Sequence, residues 1–152
     1  MSGLIGYWDK HHPTFQTYLL RHMQIKNNSM HELTLARSLT EMVDEYASSH
    51  GAKRVKALNV RLGTLSAMTR ALYFCFEPAS RGTSCEGAIL NIEEIPITVF
   101  CDSCNEIKIP TGRFSFRCST CGMATPNLVT GREMQLVSIE LHKEEAGHNH
   151  AP

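Results

Sequence analysis

The sequence predicts an α+β fold: a small mixed three-stranded sheet with two helices, into which a cysteine-bearing module is inserted. Three observations carry this reading. From Met30 onward the apolar residues switch between a helical and a strand period, in the order helix, strand, helix, strand. A stretch punctuated by Pro and Gly, residues 96–126, then breaks the pattern and contains two CxxC pairs. One further alternating stretch, residues 134–141, follows and most simply rejoins the first sheet.

Taken in order, residues 1–29 show no sustained period, carry His11, His12 and His22, and end in a polar KNNS. They are expected to be an extension, disordered or the product of an upstream start codon, with Met30 as the alternative start. The first helix follows, with Leu35, Leu39, Met42, Val43 and Tyr46 on one face and Gly51 as the residue that ends it. Residues 55–62 read as a strand with Leu58, Val60 and Leu62 facing one way and Asn59 and Arg61 the other. The second helix takes Ser66 or Thr69 as its cap and Leu72, Phe76 and Ala79 as its buried stripe. Pro78 should disrupt or kink its end, and Gly82 marks the exit. Residues 88–95 read as a strand with Ala88, Leu90 and Ile92 inward. Because a helix separates it from the previous strand, the two should pair in parallel through a right-handed crossover. The last strand puts Val137, Ile139 and Leu141 on one face. The expected division is therefore 1–29, an extension; 30–95 plus 127–142, an α/β domain; 96–126, the cysteine module; and 143–152, a frayed polar tail.

Composition narrows the function. The chain has 152 residues with 15 basic and 15 acidic side chains, so no net field draws it to nucleic acid or to an anionic membrane. Its longest apolar runs fall short of the roughly 20 residues that span a bilayer. The N-terminal LIGYW is too short for a secretory signal and runs into Asp9, Lys10, His11 and His12. A soluble cytoplasmic protein is expected, and in that compartment cysteines ligate metal more often than they form disulfides.

Four of the six cysteines form the module FCDSCNEIKIPTGRFSFRCSTCG. Cys101 and Cys104 make one knuckle, Cys118 and Cys121 the other, with thirteen residues between the pairs. A two-residue gap lets both thiolates of a knuckle reach one ion at about 2.3 Å, and a hairpin of this length brings the pairs together. Four thiolates close a tetrahedral shell with no open position for substrate, so the pattern reads as a structural zinc ribbon. Lys108, Arg113 and Arg117 are set against Asp102 and Glu106, which leaves little basic excess for nucleic-acid binding.

The segments MHELTLARSL, VRLGTLSAM and TGREMQLVSIEL, with the CxxC pairs between them, resemble the HypA/HybF family of nickel metallochaperones over about residues 30–141. The resemblance implies a role in [NiFe]-hydrogenase maturation. Such a protein receives Ni(II) as transient cargo, works with a partner GTPase, and delivers the metal to the hydrogenase large subunit. It also implies that nickel binds at Met30, His31 and Glu32, and that the zinc held by Cys101, Cys104, Cys118 and Cys121 is structural. Whether the chain forms a homodimer is left open. The His31 imidazole is a borderline-soft ligand that suits nickel, and a chain starting at Met30 would add its α-amine and form fused chelate rings. As an internal residue, His31 has fewer chelating neighbours.

The alternative is a zinc-ribbon adaptor that binds a protein or nucleic-acid partner without nickel. Cys75 reads as a small core residue, and Cys85, in a turn-like GTSCEG, as exposed. His142, His148 and His150 read as part of a solvated tail. No nucleophile–base constellation, phosphate-cradling loop or paired carboxylates stand at a recognisable spacing, so the chain is not expected to be an enzyme.

Overall fold

The computed structural model describes residues 15–24, 32–112 and 115–142. Strands β1 (Phe15–Gln24), β2 (Val55–Gly63), β3 (Ile89–Ile95) and β7 (Met134–His142) form one sheet in the order β1-β7-β2-β3. Helices α1 (Glu32–Ser49) and α2 (Thr69–Ser80) supply most of the apolar layer that packs on it. Strands β4 (Thr98–Cys101), β5 (Glu106–Lys108) and β6 (Leu128–Thr130) form a second sheet in the order β5-β4-β6.

The periodicities account for the core. Leu35, Leu39 and Val43 recur every four residues, close to one helical turn, so α1 turns them to one side, where they are fully buried with Leu58, Leu62, Leu72, Leu136 and Ile139. The end of α1 follows from Gly51: its φ of 68° lets the chain reverse. The Gly51 N–H then donates to Ser48 O at 3.1 Å and the Ala52 N–H to Ala47 O at 2.9 Å. β2 and β3 pair in parallel, as the intervening helix requires, and β7 lies antiparallel against β2. On the sheet face away from the core, Asn91 donates to Asn59 at 3.0 Å and Asn59 to Ser138 at 2.9 Å, a polar ladder across three strands.

Three expectations need correction. The sheet has a fourth strand, because Phe15–Gln24 of the supposedly disordered extension pairs antiparallel with β7. FQTYLLRHMQ does not alternate, and what makes it a strand is a partner at the far end of the sequence. The rest of the extension, residues 1–14 and 25–29, lies outside the described residues, as does the tail 143–152. The second sheet also runs past residue 126, because β6 pairs with β4. Neither Ser66 nor Thr69 caps α2. Ser66 Oγ donates instead to Gly63 O at 3.1 Å within the 3-10 turn Thr64–Ser66, and Met68 occupies the cap position without a side-chain bond. α2 ends at Ser80, two residues past Pro78, in line with a proline at the end of the helix, where its missing N–H leaves the Phe74 carbonyl without its helical donor.

The two sheets meet at a close backbone joint. The Gly63 N–H donates to Glu133 O at 2.7 Å and the Leu65 N–H to Gly131 O at 3.1 Å. Thr130 Oγ1 donates to Pro96 O at 2.7 Å and lies 2.6 Å from Thr98 Oγ1. The outgoing and returning strands of the inserted module are therefore tied to each other and to the end of β2. Among the described residues, no helix is long and apolar enough to cross a membrane.

A four-cysteine candidate metal centre

The second sheet places the cysteines. Cys101 closes β4 and pairs with Glu106 of β5, so the first knuckle is a tight hairpin turn. The second is held by isolated bridges between Pro110 and Cys118 and between Arg117 and Ala124. Thr125, 1% exposed, anchors its base by donating from both N–H and Oγ1 to Phe116 O, at 2.7 and 2.8 Å. Each knuckle ends in a left-handed residue directly after its second cysteine, Asn105 (φ 53°) and Gly122 (φ 73°). Asn and Gly are the residues that enter this region at least cost, and the sequence carried that signal unread.

The four sulfurs lie within 4.8 Å of one another. Cys101 Sγ is 3.5 Å from Cys121 Sγ, and Cys104 Sγ is 3.9 Å from Cys118 Sγ. Four sulfurs at about 2.3 Å from one ion stand about 3.8 Å apart in a regular tetrahedron, so the cluster fits a structural zinc. None of the four is in a disulfide, and Cys101 and Cys118 are completely buried. Backbone amides prepare the site for negative charge. The Cys104 N–H donates to Cys101 Sγ at 3.5 Å, and the Thr120 N–H to Cys118 Sγ at 3.4 Å. The N–H of Cys121, with that of Thr120, lowers the Cys118 thiol to about 6. Cys104 is pushed up to about 12, first by its hydrogen bond with the Cys121 sulfur and then by burial. A first thiolate thus stands ready at neutral pH, and a dication displaces the remaining protons. The module needs such an ion. Ile107, Ile109, Met123 and Val129 are exposed, and Ile97 and Val99 are the buried large apolar side chains it contributes.

The structure brings the four predicted sulfur ligands together. Met30 and His31 lie outside the described residues, and Glu32 is the first residue of α1. Seven residues, 25–31, join the end of β1 to α1. Gln24 pairs with Gln135, close in sequence to the Gly131–Glu133 joint, so this connection begins at the end of the sheet that carries the module. Cys75 packs half-buried against the core, as expected. Cys85 does not follow its expectation. It is fully buried, with Sγ 3.9 Å from Thr40 O, and burial pushes its thiol up to about 11. Its loop is clamped on both sides, because the Ser84 N–H donates to Asp44 Oδ1 at 2.9 Å and the Val55 N–H to Ser84 O at 2.8 Å.

Comparison with known proteins matches this architecture. The family described as "Hydrogenase/urease nickel incorporation, metallochaperone, hypA" matches residues 30–141. The hydrogenase maturation factor HypA of Roseiflexus sp. (strain RS-1) is 47% identical over 113 residues, which are 73% of this chain and 91% of that protein. HypA of Chloroflexus aggregans is 39% identical over 113 residues, 73% of this chain and 98% of its own length. Among solved structures, the solution structure of the Ni metallochaperone HypA from Helicobacter pylori aligns with a TM-score of 0.51 at 27% identity, over 75% of this chain and 99% of that one.

Proposed function

This chain belongs to the HypA family of hydrogenase and urease nickel-incorporation metallochaperones, and we propose that it carries Ni(II) as transient cargo to a [NiFe]-hydrogenase precursor. The match over residues 30–141 carries the proposal, because it begins at the first residue of Met30-His31-Glu32 and contains all four cysteines. The family is one of maturation factors and metallochaperones rather than enzymes.

The two metals have separate chemistry. Zinc sits at Cys101, Cys104, Cys118 and Cys121, where four sulfur donors leave no open coordination position, and its work is to hold the second sheet together. Nickel binds at Met30, His31 and Glu32, through the His31 imidazole with backbone nitrogens and the Glu32 carboxylate as further donors. In a chain that carries Ser29 before Met30 the Met30 nitrogen is an amide, and in one that starts at Met30 it is a free amine. A site with fewer strong donors releases its metal more readily, which suits cargo. Delivery requires a GTPase partner and the hydrogenase large subunit, and it takes place in the cytoplasm. The tight Gly63–Gly131 joint ties the cysteine module to the end of β2.

Metal analysis of the purified chain tests this reading. We expect one zinc per chain and one weaker nickel. The His31→Ala variant should lose nickel affinity by about tenfold or more with zinc content and fold intact, in line with losing a primary ligand. Full nickel affinity in His31→Ala would place the cargo site elsewhere. A variant starting at Met30 regains the α-amine and should bind nickel more tightly than the longer chain.

A further inference from the structure

The matched family region and the four-stranded sheet do not have the same edge. Residues 30–141 alone supply β7-β2-β3, with β7 outermost. With β1 in place, all nine residues of β7 are buried or half-buried. By contrast β3, at the opposite end of the sheet, exposes Ile89, Asn91, Glu93 and Glu94. A nine-residue strand with an open row of N–H and C=O groups is a template for another strand. Here β1 takes that place, in antiparallel register from Phe15 opposite His142 to Gln24 opposite Gln135.

We infer that the outer edge of β7 is a strand-docking site that this chain fills with its own residues Phe15–Gln24, and that the body from Met30 onward accepts the same segment in trans. The pairing is built to be separable. Between Leu19, opposite Ser138, and Met23, opposite Leu136, three residues of β1 face Val137 alone. The ladder is therefore split into a run of five pairs and a run of two. β7 bulges at the same place against β2, where Asn59 and Val60 face Ser138 and Leu136. Against β2 the extra residue, Val137, is on β7, whereas against β1 the two extra residues are on β1, so both strands depart from regular pairing at this position. Docking has a consequence that rests on the nickel reading. With Gln24 held at Gln135, Met30 is confined within about 20 Å of that pairing position, six extended residues away. Release of β1 lifts the restraint.

The test uses a variant lacking residues 1–29 and a synthetic peptide of residues 12–26. The relatives' nearly full-length match to the remaining chain shows that this body is a complete unit. Zinc content and circular dichroism report that it is folded. We expect saturable one-to-one binding of the peptide to the truncated chain and none to the full chain. A peptide carrying Tyr18→Pro and Leu19→Pro should not bind, because alternate residues donate along an antiparallel ladder and two consecutive prolines remove at least one bond. Absence of peptide binding to the folded truncated chain, or self-association that the peptide does not reverse, would overturn the inference. If the truncated chain does not fold, hydrogen exchange on the full chain carrying the same two substitutions decides. β7 amides should exchange about tenfold faster or more while β2–β3 amides stay protected, and unchanged β7 protection rejects the docking site. Both readouts are independent of nickel, so they stand or fall apart from the metal assignment.

Discussion

Gly63 shows at the scale of one residue how the two halves of the molecule are fastened. A Cβ placed there would lie 1.9 Å from Gly131 O and 2.4 Å from Arg132 N, both backbone atoms that no rotamer change can move. Gly131 is constrained twice, by a φ of 116° and by Ile97, whose Cγ1 would stand 2.8 Å from an added Cβ. Gly63→Ala should therefore destabilise the protein by about 2–3 kcal/mol, the upper range for forced overpacking. Urea denaturation checks this, and a change below about 0.5 kcal/mol, the ordinary surface range, would show that the joint yields. In the sequence Gly63 directly follows the strand 55–62 and Gly131 stands shortly before the strand 134–141. That they must touch was not visible there, since close approach of two backbones leaves no periodic trace.

At the scale of elements, the polar contact between α1 and the loop before β3 makes a pH-dependent link. The Ser84 hydroxyl, and the Ser84 N–H that donates to Oδ1, hold the Asp44 carboxyl below the usual carboxylate range. A group whose folded pKa is depressed contributes stability above its unfolded pKa of about 3.9 and loses that contribution as pH falls through the folded value. Asp44→Ala should cost about 1 kcal/mol at neutral pH, a typical hydrogen-bond contribution. The gap between variant and parent should close as pH drops below about 4. Denaturation at a series of pH values measures the gap, and a constant gap would mean that Asp44 acts by packing alone. This clamp also explains Cys85. GTSCEG reads as an exposed turn by composition, yet bonds to Asp44 and Val55 press it onto the core.

For the whole molecule, the two sheets depend on different forces. The four-stranded sheet and its helices bury a continuous apolar cluster from Leu35 to Leu141 and should stand without metal. The three-stranded sheet rests on a few buried groups and four sulfurs, so metal binding contributes most of its folding free energy. Treatment with a strong chelator should therefore remove the metal held by the four cysteines and abolish amide protection in residues 97–130. Protection in β2, β3 and β7 should survive. Hydrogen exchange separates the two regions, and loss of both together would show that they fold as one cooperative unit. Cys101→Ser should reproduce the chelator's pattern.

The sequence by itself determined what local periodicity and spacing encode. It carried both helices, strands β2, β3 and β7, the parallel sense of β2 and β3, and the four cysteines whose sulfurs converge. Each of these is written within a few residues of itself, as a 3.6 or 2 period, a left-handed glycine or a CxxC gap. Only the tertiary structure decided what depends on a distant partner. Phe15–Gln24 is a strand because β7 offers it a row of backbone groups, Cys85 is buried because Asp44 reaches its loop, and the second sheet extends to Thr130 because β4 pairs with β6. A hydrogen bond made by backbone atoms is nearly indifferent to the side chains that flank it, so pairing of this kind leaves little mark on the residues that make it.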